Sequence, residues 1–228
     1  MKHAATQGQR TGGAFRALSL AGVYDRLQDA LGADGARRRV AQSYVLAAAR
    51  RGAELRVLDV GCGTGALFPH LKGVAYVGVD ANERYLARAR ARFGKGATFR
   101  LVDVARPDWS AAAGLGDALF DVVVLTGLLH HLGDASATRL FHDVAPLLAP
   151  EGRVVTLDGT ITSDTKPAGA LLARWDRGLH VRAPEEYRRL AAPSFGRVDV
   201  HIHHDLLRVP YSHVLLEASM PFRRAGAP

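Results

Sequence analysis

The chain has one cysteine, Cys62, in 228 residues. A single thiol closes no internal disulfide, so the fold has to rest on its core, and a reducing, cytoplasmic setting is expected. No apolar run is long enough to cross a bilayer, so no membrane partner is expected. The first residues, Met1-Lys2-His3-Ala4-Ala5-Thr6-Gln7-Gly8, lack a signal-peptide core, and the apolar stretch near Leu18 to Val23 is short and broken by Gly22. There is no internal repeat, no low-complexity linker and no basic run interleaved with aromatics.

The chain does have apolar mass, 48% of its residues, enough to bury one good core. One domain over 21–221 is expected, with a mobile arm at 1–20 and a tail at 222–228. The formal net charge is +8, carried mostly by arginines scattered over expected helix faces, such as Arg84, Arg88, Arg90 and Arg92. Nucleic-acid binding rewards clustered cations, so scattered ones are a weak warrant and a nucleic-acid partner is disfavoured.

Strand and helix patterns alternate. Residues 24–51 read as helix, with Ala36, Val40, Ala41, Tyr44, Val45 and Ala48 on one stripe and Gly52 as a stop. A strand enters at Arg56–Asp59, followed by a loop and a short helix near 66–71. A second strand, Tyr76–Asp80, leads to Asn82, a candidate cap for a helix over Glu83–Phe93 ending at Gly94. Thr98–Val102 is a third strand. Leu119–Leu125, apolar except for Asp121, reads as a fourth buried on both faces. A helix opened by Asp134 or Ser136 runs over Ala137–Leu148 and is closed by Pro150 and Gly152; Arg153–Asp158 is a fifth strand. Pro184 starts a short helix. Gly196–His203 and Tyr211–Ala218 are the last two strands, and the connection between them is too short for a parallel crossover, so they are antiparallel. The α/β class follows: a doubly wound, mostly parallel sheet with helices on both faces.

The segment Val57-Leu58-Asp59-Val60-Gly61-Cys62-Gly63-Thr64-Gly65 carries the most information. A buried strand turns there into a glycine loop and a helix start, a geometry in which backbone amides can approach a ligand closely. The dinucleotide fingerprint is G-x-G-x-x-G. Here the glycines are spaced Gly61-x-Gly63-x-Gly65, and Asp59 precedes them. An acid in that place opposes a pyrophosphate and suits a ligand with a positive charge and an amino group.

This segment resembles motif I of the class I S-adenosylmethionine-dependent methyltransferases, and the resemblance extends over roughly 24–218. Asp80 ends the second strand, where the family holds the ribose hydroxyls. Asp103 follows the third, where it contacts the adenine amino group. Phe120-Asp121-Val122-Val123 and Glu151-Gly152-Arg153-Val154-Val155 resemble its fourth- and fifth-strand motifs, and the antiparallel last pair matches its reversed seventh strand. The resemblance implies a Rossmann-like seven-stranded sheet and S-adenosyl-L-methionine as cofactor, leaving as S-adenosyl-L-homocysteine. It is expected to be held by Asp59, Gly61, Cys62, Gly63, Gly65, Asp80, Ala81, Asp103, Val104 and Thr126.

Ligands of open α/β sheets sit past the carboxyl ends of the strands. After the fourth strand come His130 and His131, resembling a histidine pair of small-molecule methyltransferases. One of them is expected to serve as base toward a hydroxyl acceptor, with His131 preferred over His130. The insertion at 160–195 is the expected recognition element. Within it Arg174, Trp175, Arg177, His180 and Arg182 suit a small acidic or sugar-like acceptor. Tyr24 and Arg38 or Arg39 are candidates for the methionine carboxylate. The Asn/Asp-Pro-Pro-Tyr/Phe motif of amino-directed nucleic-acid enzymes is missing after the fourth strand. So is the carboxylate set of the magnesium-dependent enzymes, which Asp158 alone does not supply. A second cluster, His201, His203, His204 and His213, has no Cys or Glu to complete a metal set; Val198, Val200 and Ile202 are expected to face the core and the histidines outward. The expected activity is methyl transfer to a small molecule, on oxygen. The alternatives are a nucleic-acid or protein methyltransferase and a non-catalytic binding module.

Overall fold

Seven strands form one sheet in a computed structural model that describes residues 29–49, 53–167, 169, 171 and 179–222. They are β1 (Leu55–Val60), β2 (Val74–Asp80), β3 (Thr98–Leu101), β4 (Phe120–Thr126), β5 (Leu148–Thr160), β6 (Phe195–His203) and β7 (Ser212–Pro221). The order across the sheet is β3-β2-β1-β4-β5-β7-β6. All pairs from β3 to β5 are parallel; β7 is antiparallel to both its neighbours. The order reverses between β1 and β4, and in such sheets that switch opens a crevice above the strand ends.

Among the described residues, the helices that frame the sheet are α1 (Ala33–Val40), α2 (Glu83–Phe93), α3 (Trp109–Ala112), α4 (Asp134–Val144) and α5 (Pro184–Ala191). Because strand side chains alternate, the sheet carries an apolar core on each face. One gathers Val123, Leu125, Val154, Val214 and Leu216 with Trp109, Phe141 and Tyr187. The other gathers Val57, Val122, Val124, Val155 and Leu215 with Val40, Tyr76 and Leu86. Local chemistry sets the ends of α2 as expected: the Asn82 side chain accepts from the amides of Arg84 and Tyr85, and Gly94 follows the last turn.

Several boundaries differ from the sequence expectations. The helix expected over 24–51 is, within the described residues, α1 followed by a wide π turn at Ala41–Val45 and a 3-10 turn at Leu46–Ala48; Gly52 lies outside them. Ala36, Val40, Ala41 and Val45 of its stripe are buried. The helix expected near 66–71 is a run of turns ending in a 3-10 turn, Phe68–His70, with Pro69 in its first turn. The helix expected to reach Leu148 stops at Val144, because Pro146 supports only a short 3-10 turn and Leu148 already pairs with Phe120. Pro150 and Gly152 therefore sit inside β5, at the register shift between Phe120 and Val122. Ile202 is 45% exposed rather than in the core, because β6 is an edge strand. Among the described residues no helix is long and apolar enough to cross a membrane.

Candidate functional site

The glycine loop is bound to the end of β2. The amides of Gly61 and Cys62 both donate to Val79 O, at 2.8 and 3.0 Å, and the Gly63 amide donates to Asp80 Oδ2 at 2.9 Å. The other Asp80 oxygen accepts from the Asn82 amide at 2.8 Å. One carboxylate thus fixes two adjoining loops, and each oxygen keeps a second lone pair for a further donor. Burial holds the Asp80 carboxyl above its usual value despite the two amide bonds that lower it.

Gly63 has φ +55°, and a Cβ built on it would meet nothing within 4 Å. The loop therefore curves under open space, in a backbone conformation that favours glycine. Gly65, at φ +72°, is closed in by Phe99 and Phe93 instead, so its absent Cβ serves packing. Cys62 is turned inward, its Sγ against Gly78, and burial pushes its thiol up, away from reactivity.

Asp59 lies beneath this loop rather than at its rim and is 1% exposed. Its Oδ2 accepts from the Tyr76 hydroxyl at 2.5 Å; its Oδ1 has no hydrogen-bond partner among the described residues. Burial raises its carboxyl to about 7, against the hydrogen bond from Tyr76, which lowers it. Asp103, half-buried at the end of β3, accepts the Ala105 amide at 2.9 Å. Val104 is packed against the core of that face, Ala81 is exposed, and Thr126 is half-buried at the end of β4.

The parallel pairing of Thr126 with Leu157 sets the next level of the site. Gly127 turns out of β4 at φ +64°, its amide donating to Leu157 O at 2.7 Å. Leu128 then folds back over Gly61, its Cδ1 3.2 Å from where a Cβ would stand, so the two loops are packed together. Leu129–His131 forms a 3-10 turn. One residue beyond Leu157 stands Asp158, 2% exposed. Its Oδ1 accepts from His130 twice, from the backbone amide at 3.1 Å and from Nδ1 at 2.7 Å. A carboxylate only accepts, so Nδ1 carries the proton and exchange with any other group falls to Nε2. His130 is buried, while His131 is half-buried with its ring centroid 4.1 Å from that of His130. The sequence expectation preferred His131; the 2.7 Å contact with the Asp158 carboxylate is made by His130.

Nothing in the local sequence marks Asp158 as a partner for this pair. It stands 28 residues from His130 in the chain, and only the pairing of β4 with β5 brings them together. The recognition residues divide. Arg174, Trp175 and Arg177 lie outside the described residues, as does Tyr24. His180 meets the histidine turn through its backbone, its amide donating to His130 O at 3.0 Å. Arg182, expected to recognise an acceptor, is 7% exposed and turned inward. Arg38 and Arg39 pair with Asp34 and Asp205.

The second histidine cluster is dispersed among different partners. His201 meets Glu217 at 3.2 Å, His203 meets the Tyr44 hydroxyl at 2.9 Å, and His204 meets Ser212 at 2.9 Å. His201 and His203 share a face, as expected, but that face packs against Tyr44.

A reversed β7, a glycine loop after β1 and acids closing β1, β2 and β3 define the Rossmann-like fold of S-adenosylmethionine-dependent methyltransferases. Residues 57–152 match the family model described as a methyltransferase domain. That match runs from β1 into β5, so residues 57–152 carry a methyltransferase domain within a class I, Rossmann-like fold. Similar solved structures include the plantazolicin methyltransferase BpumL in complex with S-adenosylhomocysteine (TM-score 0.64, 14% identity, 90% of each chain). The pyocyanin biosynthetic protein PhzM matches with TM-score 0.65 and 18% identity, over 91% of this chain and 62% of that one. The N-methyltransferase NodS from Bradyrhizobium japonicum matches with TM-score 0.59 and 19% identity, over 80% and 85%. At these identities the likeness is one of fold. In sequence, the polyketide synthase ThaQ of Burkholderia thailandensis is 36% identical over 104 residues, 40% of this chain and 5% of the synthase. ThaG of the same organism is 36% identical over 96 residues, 2% of its length. The chain thus spans a small fraction of the curated relatives it matches.

Proposed function

We propose that this protein transfers a methyl group from S-adenosyl-L-methionine to an oxygen of a small natural-product acceptor, with His130 as base and Asp158 as the group that orients it. The hydrogen bond from His130 Nδ1 to Asp158, 2.7 Å long at the carboxyl ends of β4 and β5, carries this reading.

The residues fit the cofactor on three counts. The space above Gly63 admits a ligand where a Cβ would meet nothing. The buried Asp59 Oδ1 lacks a donor among the described residues, and a cofactor with an ammonium group brings donors. Asp80 and Asp103, at successive strand ends, keep lone pairs for hydroxyl or amino donors. Ala81, Val104, Cys62 and Thr126 complete that wall by shape. When bound, S-adenosylmethionine supplies an electrophilic methyl on a sulfonium.

The chain's own work is alignment and proton removal. Leu128, over Gly61, packs the cofactor loop against the histidine turn. Asp158 holds the Nδ1–H tautomer, which makes Nε2 the atom that accepts the acceptor's proton as the carbon–oxygen bond forms; the sulfur keeps the electron pair of the bond that breaks. BpumL is a plantazolicin methyltransferase, PhzM a pyocyanin biosynthetic protein, and ThaQ and ThaG are polyketide synthases, which supports a natural product as the acceptor class. The polyketide synthase matches favour one second reading, in which the same base takes a proton from an acidified carbon between two carbonyls.

The test has two stages. Calorimetry with S-adenosylhomocysteine measures the cofactor site: binding is expected, and it should weaken in Asp80→Ala by on the order of 1–3 kcal/mol. Transfer of labelled methyl is then measured against phenols, hydroxy acids and β-keto thioesters, and the product's carbon spectrum distinguishes oxygen from carbon methylation. No binding of S-adenosylhomocysteine, or full transfer by His130→Gln, overturns the reading.

A further inference from the structure

Arg182 uses its whole guanidinium inside the protein. Nε and Nη2 donate to Asp134 Oδ1 at 2.9 and 2.7 Å. Nη1 donates to Leu129 O at 2.9 Å and to His180 O at 3.1 Å. Nη2 also donates to Leu132 O at 2.5 Å. The side chain is 7% exposed and stacks over the Tyr187 ring with its carbon 5.6 Å from the ring centroid.

The identity of the acceptors matters more than their number. Leu129 and Leu132 bracket His130 and His131 on the two sides of the 3-10 turn. His180, the third carbonyl, sends its own amide to His130 O at 3.0 Å. The backbone of Arg182 is pinned separately, in a parallel bridge to Thr160 whose hydroxyl donates to Arg182 O at 2.8 Å. Next to it the Tyr187 hydroxyl donates to Gly159 O at 3.0 Å. One arginine therefore ties the turn that carries the histidines to the end of the strand that carries Asp158.

A buried guanidinium is unfavourable unless its donors are met. A partner that only balanced charge would need a single carboxylate, and Asp134 is 80% exposed at its side chain, a weak site for an ion pair. Three carbonyls converge from two separate segments instead, and only a planar fork of donors reaches them together; an ammonium on a flexible stem does not.

We propose that Arg182 is a positioning residue: through the carbonyls of Leu129, Leu132 and His180 it holds the His130 ring in the single orientation in which Nδ1 faces Asp158. This deepens the base assignment above and rests on it for its catalytic meaning.

The experiment observes the ring directly. The full chain, labelled with ¹⁵N histidine and saturated with S-adenosylhomocysteine, is examined by long-range proton–nitrogen spectra, the His130 signals being assigned by their loss in His130→Gln. The parent is expected to show one tautomer, protonated at Nδ1. Arg182→Lys and Arg182→Met are expected to show averaged ring nitrogens, with affinity for S-adenosylhomocysteine unchanged to within about twofold. Asp134→Asn removes the exposed anion but leaves the carbonyl bonds, so it should retain the parent spectrum. The proposal is overturned if Arg182→Lys keeps the parent ring signals. It is equally overturned if Asp134→Asn disturbs them as much as Arg182→Lys does, or if Arg182→Lys loses the cofactor site together with the ring. The spectra need neither an acceptor nor turnover, so failure of the base assignment in the transfer assay would be seen separately.

Discussion

Asp158 Oδ1 receives both the backbone amide and the ring Nδ1 of His130, at 3.1 and 2.7 Å. A single oxygen thus fixes where His130 begins and which way its ring turns. His130→Gln is expected to lower methyl transfer by on the order of 10²-fold or more while leaving S-adenosylhomocysteine affinity intact. Asp158→Asn should follow it, because a carboxamide offers a donor as readily as an acceptor and no longer selects the tautomer. His131→Gln is expected to cost far less. Single-turnover rates across the three variants check the order.

Stability should depend on the ionisation of Asp59. Its folded-state carboxyl is raised to about 7 by burial, whereas an unfolded aspartate titrates near 4. The folded chain therefore holds a proton that the unfolded chain releases between those two values. The sign is fixed: this group's contribution is fully present below about pH 4 and is lost as pH rises toward about 7, by on the order of 4 kcal/mol. Asp80, also raised by burial, adds in the same direction. Urea unfolding of the cofactor-free protein at intervals from pH 4 to 8 should show the decline, and Asp59→Asn should flatten it. A parent profile that rises with pH over this range would contradict the assignment.

Gly63 and Gly65 should fail differently. Gly63→Ala meets no neighbour, so its structural cost is only the left-handed backbone, roughly 1–2 kcal/mol, but its methyl occupies the space above the loop. Gly65→Ala adds a clash with Phe99 at 3.1 Å to the same backbone cost. Gly63→Ala is expected to lose more S-adenosylhomocysteine affinity than stability, and Gly65→Ala the reverse. Paired calorimetry and thermal melts on each variant decide it.

Gly159 and Tyr211 should be coupled. A Cβ on Gly159 would run into the Tyr211 hydroxyl, with Cζ at 2.8 Å. Gly159→Ala is expected to destabilise by about 1–3 kcal/mol through overpacking. Combined with Tyr211→Ala it should cost less than the two single changes together. Denaturant midpoints for the four members of the cycle measure this, and strict additivity would mean the ring does not rest on that glycine.

Most of the cofactor half could be read from sequence because its chemistry is local. Asp59, Asp80 and Asp103 lie within a residue or two of their own strand ends, Asn82 caps the helix that follows it, and the glycines turn their own loop. The short connection over 204–210 was enough to make β6 and β7 antiparallel. The acceptor half is assembled from distance. His130 and Asp158 belong to different βα units, and Arg182 finds its acceptors 48 to 53 residues away, apart from His180. Nothing in the composition of 160–182 separates an arginine aimed at a ligand from one aimed at carbonyls. Ile202 departs from expectation for a related reason: alternation gives its face, but only sheet order shows that β6 is the edge.

The inner position of β7 has a consequence for the order in which the protein comes into being. Thr160, Gly159 and Asp158 pair with Ser212, His213 and Val214, so the strand that carries Asp158 lacks one neighbour until residues beyond 212 have been synthesised. The glycine loop and its acids draw on β1, β2 and β3, all made before residue 104. A nascent chain halted near residue 205 would own the parts that hold a cofactor but not the neighbour that completes the acid's strand. The half of the molecule that binds is thus available early, and the half proposed to react is completed only by the last strand.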